Sequence, residues 1–394
     1  MSSKIKLTTS KINSTPVIAK DTVRILSLDG GGMKGYMSAT FLARFCSDAG
    51  INPNQLFNSF DIITGTSIGG IQALAYSNGL SPGDMLGFFS SQGSNIFHYD
   101  SLLPLQAYKF SVIMSLPTYP TTFYAQAPLQ TAISNVFGTN LLISDLKTNV
   151  IIPAWSAKND QSVIFSNITG LEPFLSGASQ DVVTAALATS AAPLYFPAVA
   201  TAEDDLLIDG GVYQNNPVIT AFSVAKKLYP NASRFCVLSL GCGIAHNSFV
   251  PETSLFSAAD DKVNDLLQQD VDLELANVQN KLLKKYPDRI EHIKLLTAQT
   301  NSIAPYNVDY LFYLMENVFI PGVQEINDKT MAFESTDLFD DIFYYRFQYE
   351  FQPGQDSSLD NYSPDNLANL ASYANTQYNT DLLEIQAFIE HFNL

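Results

Sequence analysis

The sequence feature that most constrains the fold is a glycine-flanked serine between a short apolar strand and a helix. The apolar, β-branched run of Phe60, Ile62 and Ile63 is typical of a buried strand, and residues 68–78 have helical spacing. Between them lies Gly65-x-Ser67-x-Gly69, the spacing of a nucleophile elbow. A serine at so tight a turn takes a strained backbone, and its neighbours two positions away fit only without a Cβ. The pattern predicts a nucleophile at a helix N-terminus, and an ordinary glycine-rich turn is the alternative.

Two other segments share this design, in which an apolar strand runs into a glycine-rich turn. Residues 23–28 lead into residues 29–35 (DGGGMKG), called the glycine loop below, and residues 206–211 read LLIDGG. The β-loop-α order occurs twice within residues 23–78, which predicts a parallel sheet with right-handed crossovers. In such a sheet all three turns are expected at the carboxyl edge, where ligands bind.

The glycine loop also fits the dinucleotide fingerprint G-x-G-x-x-G. The acidic residue expected about 20 residues later, after a second strand, is missing because Asp61 precedes its strand. No Lys-Ser or Lys-Thr pair follows the glycines, which excludes a Walker loop here. We interpret the loop as an anion cradle in which the N–H groups of Gly30, Gly31 and Gly32 converge on one oxygen and Lys34 adds positive charge. For an acyl-transfer serine, that oxygen is the oxyanion.

The general base is the next question, and histidines compete with a carboxylate. Asp209 is the better candidate, because burial at a strand end raises a carboxyl pKa from about 3.9 toward a useful range. Its alternative is a simple turn-former in Asp-Gly. His246 follows a glycine turn after a predicted strand and is the only histidine at such a position. The four histidines are His98, His246, His292 and His391.

Composition limits the classes of function. The chain has 394 residues, 46% of them hydrophobic and 15% charged, which describes a globular protein. A formal charge of −17 argues against nucleic-acid binding and against electrostatic docking on anionic lipid. The start of the sequence lacks the apolar region of a signal peptide, and no stretch of about 18 apolar residues predicts a membrane span. Three cysteines suggest reduced thiols, so we expect a cytoplasmic location.

The chain divides by its patterns into three parts. Residues 1–20 resemble a loose arm, residues 21–250 hold the strands and motifs of a catalytic core, and residues 251–394 are rich in predicted helix that completes or caps the core. Within the last part, residues 263–282 predict a long amphipathic helix. Residues 342–351 alternate aromatic and polar side chains, which predicts an edge strand.

Residues 97–124 form an aromatic segment with almost no charge and no clean periodicity. Because the segment follows the elbow helix, we expect it to cover the active site and to meet lipid at the bilayer interface. Core packing or a dimer contact is the alternative. The side chains that would report on this are Phe97, Tyr108, Phe110 and Tyr119.

Four segments in order resemble the patatin-like phospholipases: residues 29–35, residues 65–70, residues 188–193 (ATSAAP) and residues 209–211. The resemblance covers roughly residues 22–245. It implies a three-layer α/β/α fold with a mainly parallel central sheet, and here a helix-rich C-terminal region follows.

The resemblance also implies a Ser-Asp dyad in place of a triad. Ser67 would be the nucleophile, Asp209 its base, and the first three glycines of the glycine loop the oxyanion hole. The family's basic residue after the glycines is Lys34 here. The supporting glycines are Gly65, Gly69, Gly210 and Gly211.

The function implied by the resemblance is lipid acyl hydrolysis of the phospholipase A or lysophospholipase type, without metal or cofactor. The expected partners are a phospholipid or other acyl lipid and, transiently, a membrane surface, with no nucleic acid; a homodimer is left open. One alternative is an acyltransferase that uses the same acyl-enzyme. Others are an effector that needs an activator, and a binding module with a degenerate site.

Overall fold

A computed structural model describes residues 20–98, 122–172, 174–175, 177–201, 205–245, 320–335 and 341–393. We number the described strands and helices in chain order. The strands are β1 (Thr22–Leu28), β2 (Ile62–Gly65), β3 (Asn149–Ser156), β4 (Gln161–Phe165), β5 (Val199–Ala200), β6 (Leu206–Asp209), β7 (Arg234–Leu240), β8 (Ile244–Ala245), β9 (Asp341–Phe347) and β10 (Glu350–Phe351).

The helices fall between these strands and after the last of them. They are α1 (Gly35–Ala49), α2 (Leu56–Ser59), α3 (Ile68–Asn78), α4 (Pro82–Ile96), α5 (Gln126–Phe137), α6 (Val182–Thr189), α7 (Gly211–Gln214), α8 (Val218–Leu228), α9 (Ile320–Glu334), α10 (Pro364–Thr380) and α11 (Leu382–Asn393). The predicted helix at 263–282 and most of the aromatic segment lie outside the described residues.

The central sheet is mainly parallel, as predicted. The strands β3, β2, β1, β7 and β9 lie side by side in that order, and every pair among them is parallel. Successive residues of these strands enter different layers: Leu26 and Leu28 join one hydrophobic cluster, while Val23 and Ile25 join the other. Burial on both faces explains why β1, β2, β3 and β7 are rich in apolar residues.

Helices cover both faces of the sheet, which gives the predicted three layers. Val218, Phe222 and Leu228 of α8 belong to the cluster that contains Val23. Residues of α1, α3, α10 and α11 belong to the other cluster. Alternate side chains of each strand therefore pack against the helices on opposite faces of the sheet.

The C-terminal part contributes directly to this architecture. Strand β9 is the edge strand beside β7, which confirms the predicted edge strand over residues 342–347, whereas residues 350–351 form β10, which pairs with β8 in a separate sheet. Phe41 of α1 packs against Phe347 of β9 and Tyr378 of α10, with ring centroids 4.7 and 4.9 Å apart. The boundaries of the three predicted parts of the chain stay a prediction.

The expectation that all three turn-bearing strands run in the same direction is wrong for β6. Strand β3 pairs with β2 as far as Ile151, and its extension pairs antiparallel with β6, with Ala154 opposite Asp209. An apolar run does not encode strand direction, and the length of β3 beyond β2 provides the edge that β6 uses. Asp209 therefore approaches the carboxyl edge of the parallel strands from the opposite direction.

We expect the buried face of α10 to be needed for stability. Leu370 is fully buried in α10, whereas Leu383 in α11 is 80% exposed. Leu370→Ala should lower the free energy of unfolding by about 2–5 kcal/mol, because it opens a cavity. The matched control Leu383→Ala should stay within about 0.5 kcal/mol of wild type. Urea unfolding followed by circular dichroism measures both, and equal stabilities would show that α10 does not pack as described.

Candidate active site

Ser67 lies at the sharp turn between β2 and α3 and has the backbone of a nucleophile elbow. Its φ of 56° and ψ of −129° are strained for a residue with a Cβ. A Cβ on Gly65 would clash with the carbonyl of Gly69, and a Cβ on Gly69 would clash with the carbonyl of Leu28. The flanking glycines therefore let strand, turn and helix approach one another closely enough to form this turn.

Thr189 at the end of α6 fixes the Ser67 backbone. The Ser67 N–H donates to Thr189 Oγ1 at 3.1 Å, and the Thr189 hydroxyl donates to the Pro153 carbonyl at 2.6 Å. Thr189 is fully buried. A side chain within residues 188–193 thus connects the serine to β3.

Asp209, the last residue of β6, lies against Ser67. Its carboxyl group is buried and accepts a hydrogen bond from the Gly211 N–H at 2.7 Å. Burial raises the pKa of Asp209 to about 7, against smaller lowering effects of the Gly211 hydrogen bond and of hydrogen bonding with the Ser67 side chain. Its own N–H donates to the Ala191 carbonyl at 3.0 Å. The carboxyl group can therefore exchange a proton with Ser67 near neutral pH.

The glycine loop lies on the other side of Ser67. The Gly30 N–H donates to the Asn215 carbonyl at 3.2 Å, and Asn215 Nδ2 donates to the Gly30 carbonyl at 3.2 Å. Gly31 and Gly32 line the same cavity as Ser67. Their N–H groups have no hydrogen-bond acceptor within the described part of the chain. Two of the three predicted donors are therefore open to a ligand, while that of Gly30 is engaged.

Gly32 and Lys34 show how the loop is held. Gly32 has a φ of +56°, and a Cβ there would clash with the carbonyl of Leu359. That carbonyl accepts the Met33 N–H at 2.7 Å. Lys34 is buried, and its ammonium lies 5.8 Å from the ring centroid of Phe351 rather than in the cavity wall. Its positive charge therefore does not face the cavity as a lining group.

An apolar cavity of about 270 Å³ opens from Ser67 and Asp209 between α3, α4, α5 and the turn after α6. Aside from the site residues, its walls are almost entirely hydrocarbon and aromatic. The lining away from Ser67 includes Ile71, Phe88, Phe89, Ile96, Phe97, Leu129, Tyr195 and Phe196. A cavity of this chemistry suits an acyl chain.

Neither His98 nor His391 lines the cavity that holds Ser67 and Asp209. His98 follows α4 and is exposed, and His391 in α11 stacks on Phe343 with 3.6 Å between ring centroids. His246 and His292 lie outside the described residues. In the ranges that the structure describes, no three His, Cys, Asp or Glu side chains are grouped to hold a metal ion, and no helix is long and apolar enough to span a membrane.

Sequence reasoning missed four residues that shape the site. Thr189 was within a recognised motif but had no assigned role, and Asn215 follows the DGG turn that delivers Asp209. Because both residues lie in or near a recognised motif, their positions in the sequence could have identified them. Leu359 and Arg346, which reach the glycine loop from far along the chain, have no local signal.

Comparison with known proteins identifies relatives of this chain. A sequence profile of the patatin-like phospholipases matches residues 26–222. The cGAMP-activated phospholipase of Vibrio cholerae is 34% identical over 206 residues, which are 50% of this chain and 56% of that protein. Patatin-like protein 1 of Oryza sativa subsp. indica is 32% identical over 251 residues, 56% of this chain and 58% of that protein. The matches thus span less than two thirds of these relatives.

A search of solved structures finds VipD of Legionella pneumophila. It is 12% identical with a TM-score of 0.36, and the match covers 90% of this chain and 67% of VipD.

The raised pKa of Asp209 predicts a pH-dependent cost in stability. The unfolded carboxyl group ionises near 3.8 and the folded one near 7, so the folded state loses stability relative to the unfolded state as pH rises between these values. Asp209→Asn removes this cost. Its Tm, relative to wild type, should therefore be higher at pH 8 than at pH 4 in thermal scans.

Asp205→Asn, at the residue just before β6, serves as a control of opposite sign. Although burial raises the Asp205 pKa, hydrogen bonds from Ser156 and Leu206 outweigh it and hold that pKa below 3.8. Wild type therefore gains stability over Asp205→Asn as pH rises toward 3.8 and little above it, so the Tm of Asp205→Asn relative to wild type should fall as pH rises toward 4 and should not rise from pH 4 to pH 8. The same pH trend in both variants would contradict the burial of an ionisable Asp209.

Proposed function

Because this chain belongs to the patatin-like phospholipase family, we propose that it hydrolyses carboxylic esters of lipids through a Ser67 acyl-enzyme with Asp209 as general base. The single observation that supports this best is the meeting of Ser67, Asp209 and the open N–H groups of Gly31 and Gly32 at the mouth of one apolar cavity.

The first half of the reaction forms an acyl-enzyme. Ser67 Oγ attacks the ester carbonyl carbon while Asp209 takes the proton of the Ser67 hydroxyl. The N–H groups of Gly31 and Gly32 stabilise the oxyanion that forms. The intermediate collapses by breaking the bond between the carbonyl carbon and the alcohol oxygen. Asp209 returns its proton to that oxygen, and the alcohol leaves.

The second half uses water in place of the serine. Asp209 removes a proton from water, which attacks the acyl carbonyl, and the same donors hold the second oxyanion. Cleavage of the Ser67 ester returns the proton to Oγ and releases the fatty acid. A base with a pKa of about 7 suits both steps at neutral pH, because it is partly ionised and still basic enough to accept a proton.

The apolar cavity supports the proposal that the protein recognises the acyl chain of a lipid. Ile68, next to the candidate nucleophile, and Phe97, the first residue of the aromatic segment, both lie in its wall. With a charge of −17, attachment to a membrane would rest on apolar contact rather than charge. Cytoplasmic location, peripheral membrane association and a role of residues 99–121 as a cover stay predictions.

Activation by cGAMP is a second proposal, supported by the names of relatives such as the cGAMP-activated phospholipase of Vibrio cholerae. Assays of lipid hydrolysis with and without cGAMP test it. Product analysis in the presence of a long-chain alcohol separates hydrolysis from acyl transfer, because transfer yields a new ester in place of the free fatty acid.

Ser67→Ala should abolish ester hydrolysis, by on the order of 10⁴-fold or more, without unfolding the protein. Asp209→Asn should be about as damaging, since base and nucleophile act as a unit. A fluorophosphonate probe read by intact-protein mass spectrometry should label wild type at Ser67 and leave Ser67→Ala unlabelled. His246→Ala is the control and should be labelled like wild type. Loss of activity in His246→Ala with activity kept in Asp209→Asn would indicate a histidine-based triad instead.

Leu129 in α5 should set the acyl chain length, because its side chain forms part of the cavity wall. Leu129→Phe narrows the cavity and should lower kcat/KM for long p-nitrophenyl esters by about fourfold for each methylene that no longer fits, from about 0.8 kcal/mol per buried methylene. Leu129→Ala should shift the profile toward longer chains. Hydrolysis of the butyryl ester is the internal reference. Identical profiles for both variants would show that the acyl chain binds elsewhere.

A further inference from the structure

A buried ion cluster lies directly behind the glycine loop. The Arg346 guanidinium in β9 donates to both carboxylate oxygens of Asp29, at 2.9 and 2.6 Å, and Asp29 is fully buried. Arg346 Nε lies 3.1 Å from Oδ2 of Asp328 in α9, an ion-pair distance without the direction of a hydrogen bond. Ser239 Oγ accepts a further hydrogen bond from the guanidinium at 2.9 Å. One arginine thus connects carboxylates from two separate elements.

Asp29 determines where the glycine loop begins. Its N–H donates to the Leu240 carbonyl at 3.0 Å, and its carbonyl accepts the Cys242 thiol at 3.3 Å. Arg346 and Gln324 hold its carboxylate. The three residues that follow are glycines, which have no side chains with which to fix themselves. Asp29 is therefore the last side-chain anchor before the candidate oxyanion donors.

The second carboxylate of the cluster reaches the same loop by another route. Asp328 Oδ1 accepts a hydrogen bond from Asn216 Nδ2 at 2.6 Å. The preceding residue, Asn215, exchanges two hydrogen bonds with Gly30, both 3.2 Å long. Asn215 also lies in the turn that follows the candidate base. Arg346 is thus connected to both walls of the site.

Stability alone does not account for this cluster. Replacing a buried ion pair by apolar side chains of similar size is often neutral or stabilising, because both charges lose their hydration. A bidentate arginine-carboxylate pair, in contrast, fixes the relative orientation of its two partners. The cluster also draws on residues far outside the 26–222 match, since Asp29 and Arg346 are 317 positions apart in sequence.

We propose that Arg346 is a positioning residue, which holds the N–H groups of Gly31 and Gly32 in place for the oxyanion through Asp29 on one side and through Asp328 and Asn216 on the other. The inference rests on the proposed function. Arg346 is not among the residues that line the cavity, so it acts through these partners.

The test compares Arg346→Met and Arg346→Lys with the matched control Arg234→Met. Arg234 lies on the neighbouring strand β7, and its ion pair with Asp341 is loose, at 3.9 Å. The readouts are kcat and KM for a soluble ester, the rate of fluorophosphonate labelling at Ser67, and the Tm. All rates are measured well below the lowest Tm of the set.

If Arg346→Met displaces the glycine loop, kcat and the labelling rate should both fall by about 100-fold, and KM should stay within about threefold of wild type. Arg346→Lys should recover part of both rates, because it keeps the charge but loses the bidentate geometry. The Arg234→Met control should match wild type. If Arg346→Met does not fold, Arg346→Lys alone should still show the joint loss of kcat and labelling rate.

Wild-type kcat and labelling in a folded Arg346→Met or Arg346→Lys would overturn the inference, as would a rise in KM with kcat unchanged. Failure of the proposed function is distinguishable from these results. If the proposed function is wrong, the probe does not label wild-type protein at Ser67, and this is seen before any Arg346 variant is compared.

Discussion

The left-handed backbone of Ser67 is the constraint on which the rest of the site depends. A non-glycine residue at a φ of 56° is held there only if its surroundings determine the turn. Here the determinants are the close approach of α3 to the end of β1, made possible by Gly69, and the hydrogen bond that the Ser67 N–H donates to Thr189. The same approach places the glycine loop, which follows β1, beside the serine: a Cβ on Gly30 would lie 3.0 Å from that of Ser67. One backbone requirement thus brings the nucleophile and the oxyanion donors together.

The Asp209 carboxylate reaches the site by a different route. Its environment makes it more reactive as a base but lowers the stability of the folded protein. The antiparallel strand β6 delivers Asp209 to a position where its side chain is almost entirely buried. Burial raises its pKa to about 7, which makes the carboxylate a useful base and at the same time disfavours its charged form in the folded protein. The hydrogen bond from Gly211 offsets part of that cost. At the opposite wall of the site, the two hydrogen bonds that Arg346 donates to Asp29 likewise offset part of the cost of burying a carboxylate.

Much of the fold and part of the site could be predicted from the sequence, because the signals were local. The strand before Ser67 and the helix over residues 68–78 follow from apolar spacing and from glycines whose Cβ atoms would clash. The direction of β6 could not be predicted, since an apolar run reads the same in either direction. The engagement of the Gly30 N–H by Asn215 and the contact of Arg346 with Asp29 also escaped prediction. They depend on long-range pairing, of β7 with β9 in the second case, which no local pattern records.

The most direct test of the account is to trap the covalent intermediate with an ester substrate. Wild-type protein is mixed with a short-chain p-nitrophenyl ester, quenched in acid within the first turnover, digested, and analysed by mass spectrometry. The account predicts that the peptide containing Ser67 gains the mass of one acyl group on the serine, and that this adduct decays as free fatty acid appears. An acyl group on any other residue, or turnover with no adduct at Ser67 at any quench time, would contradict it.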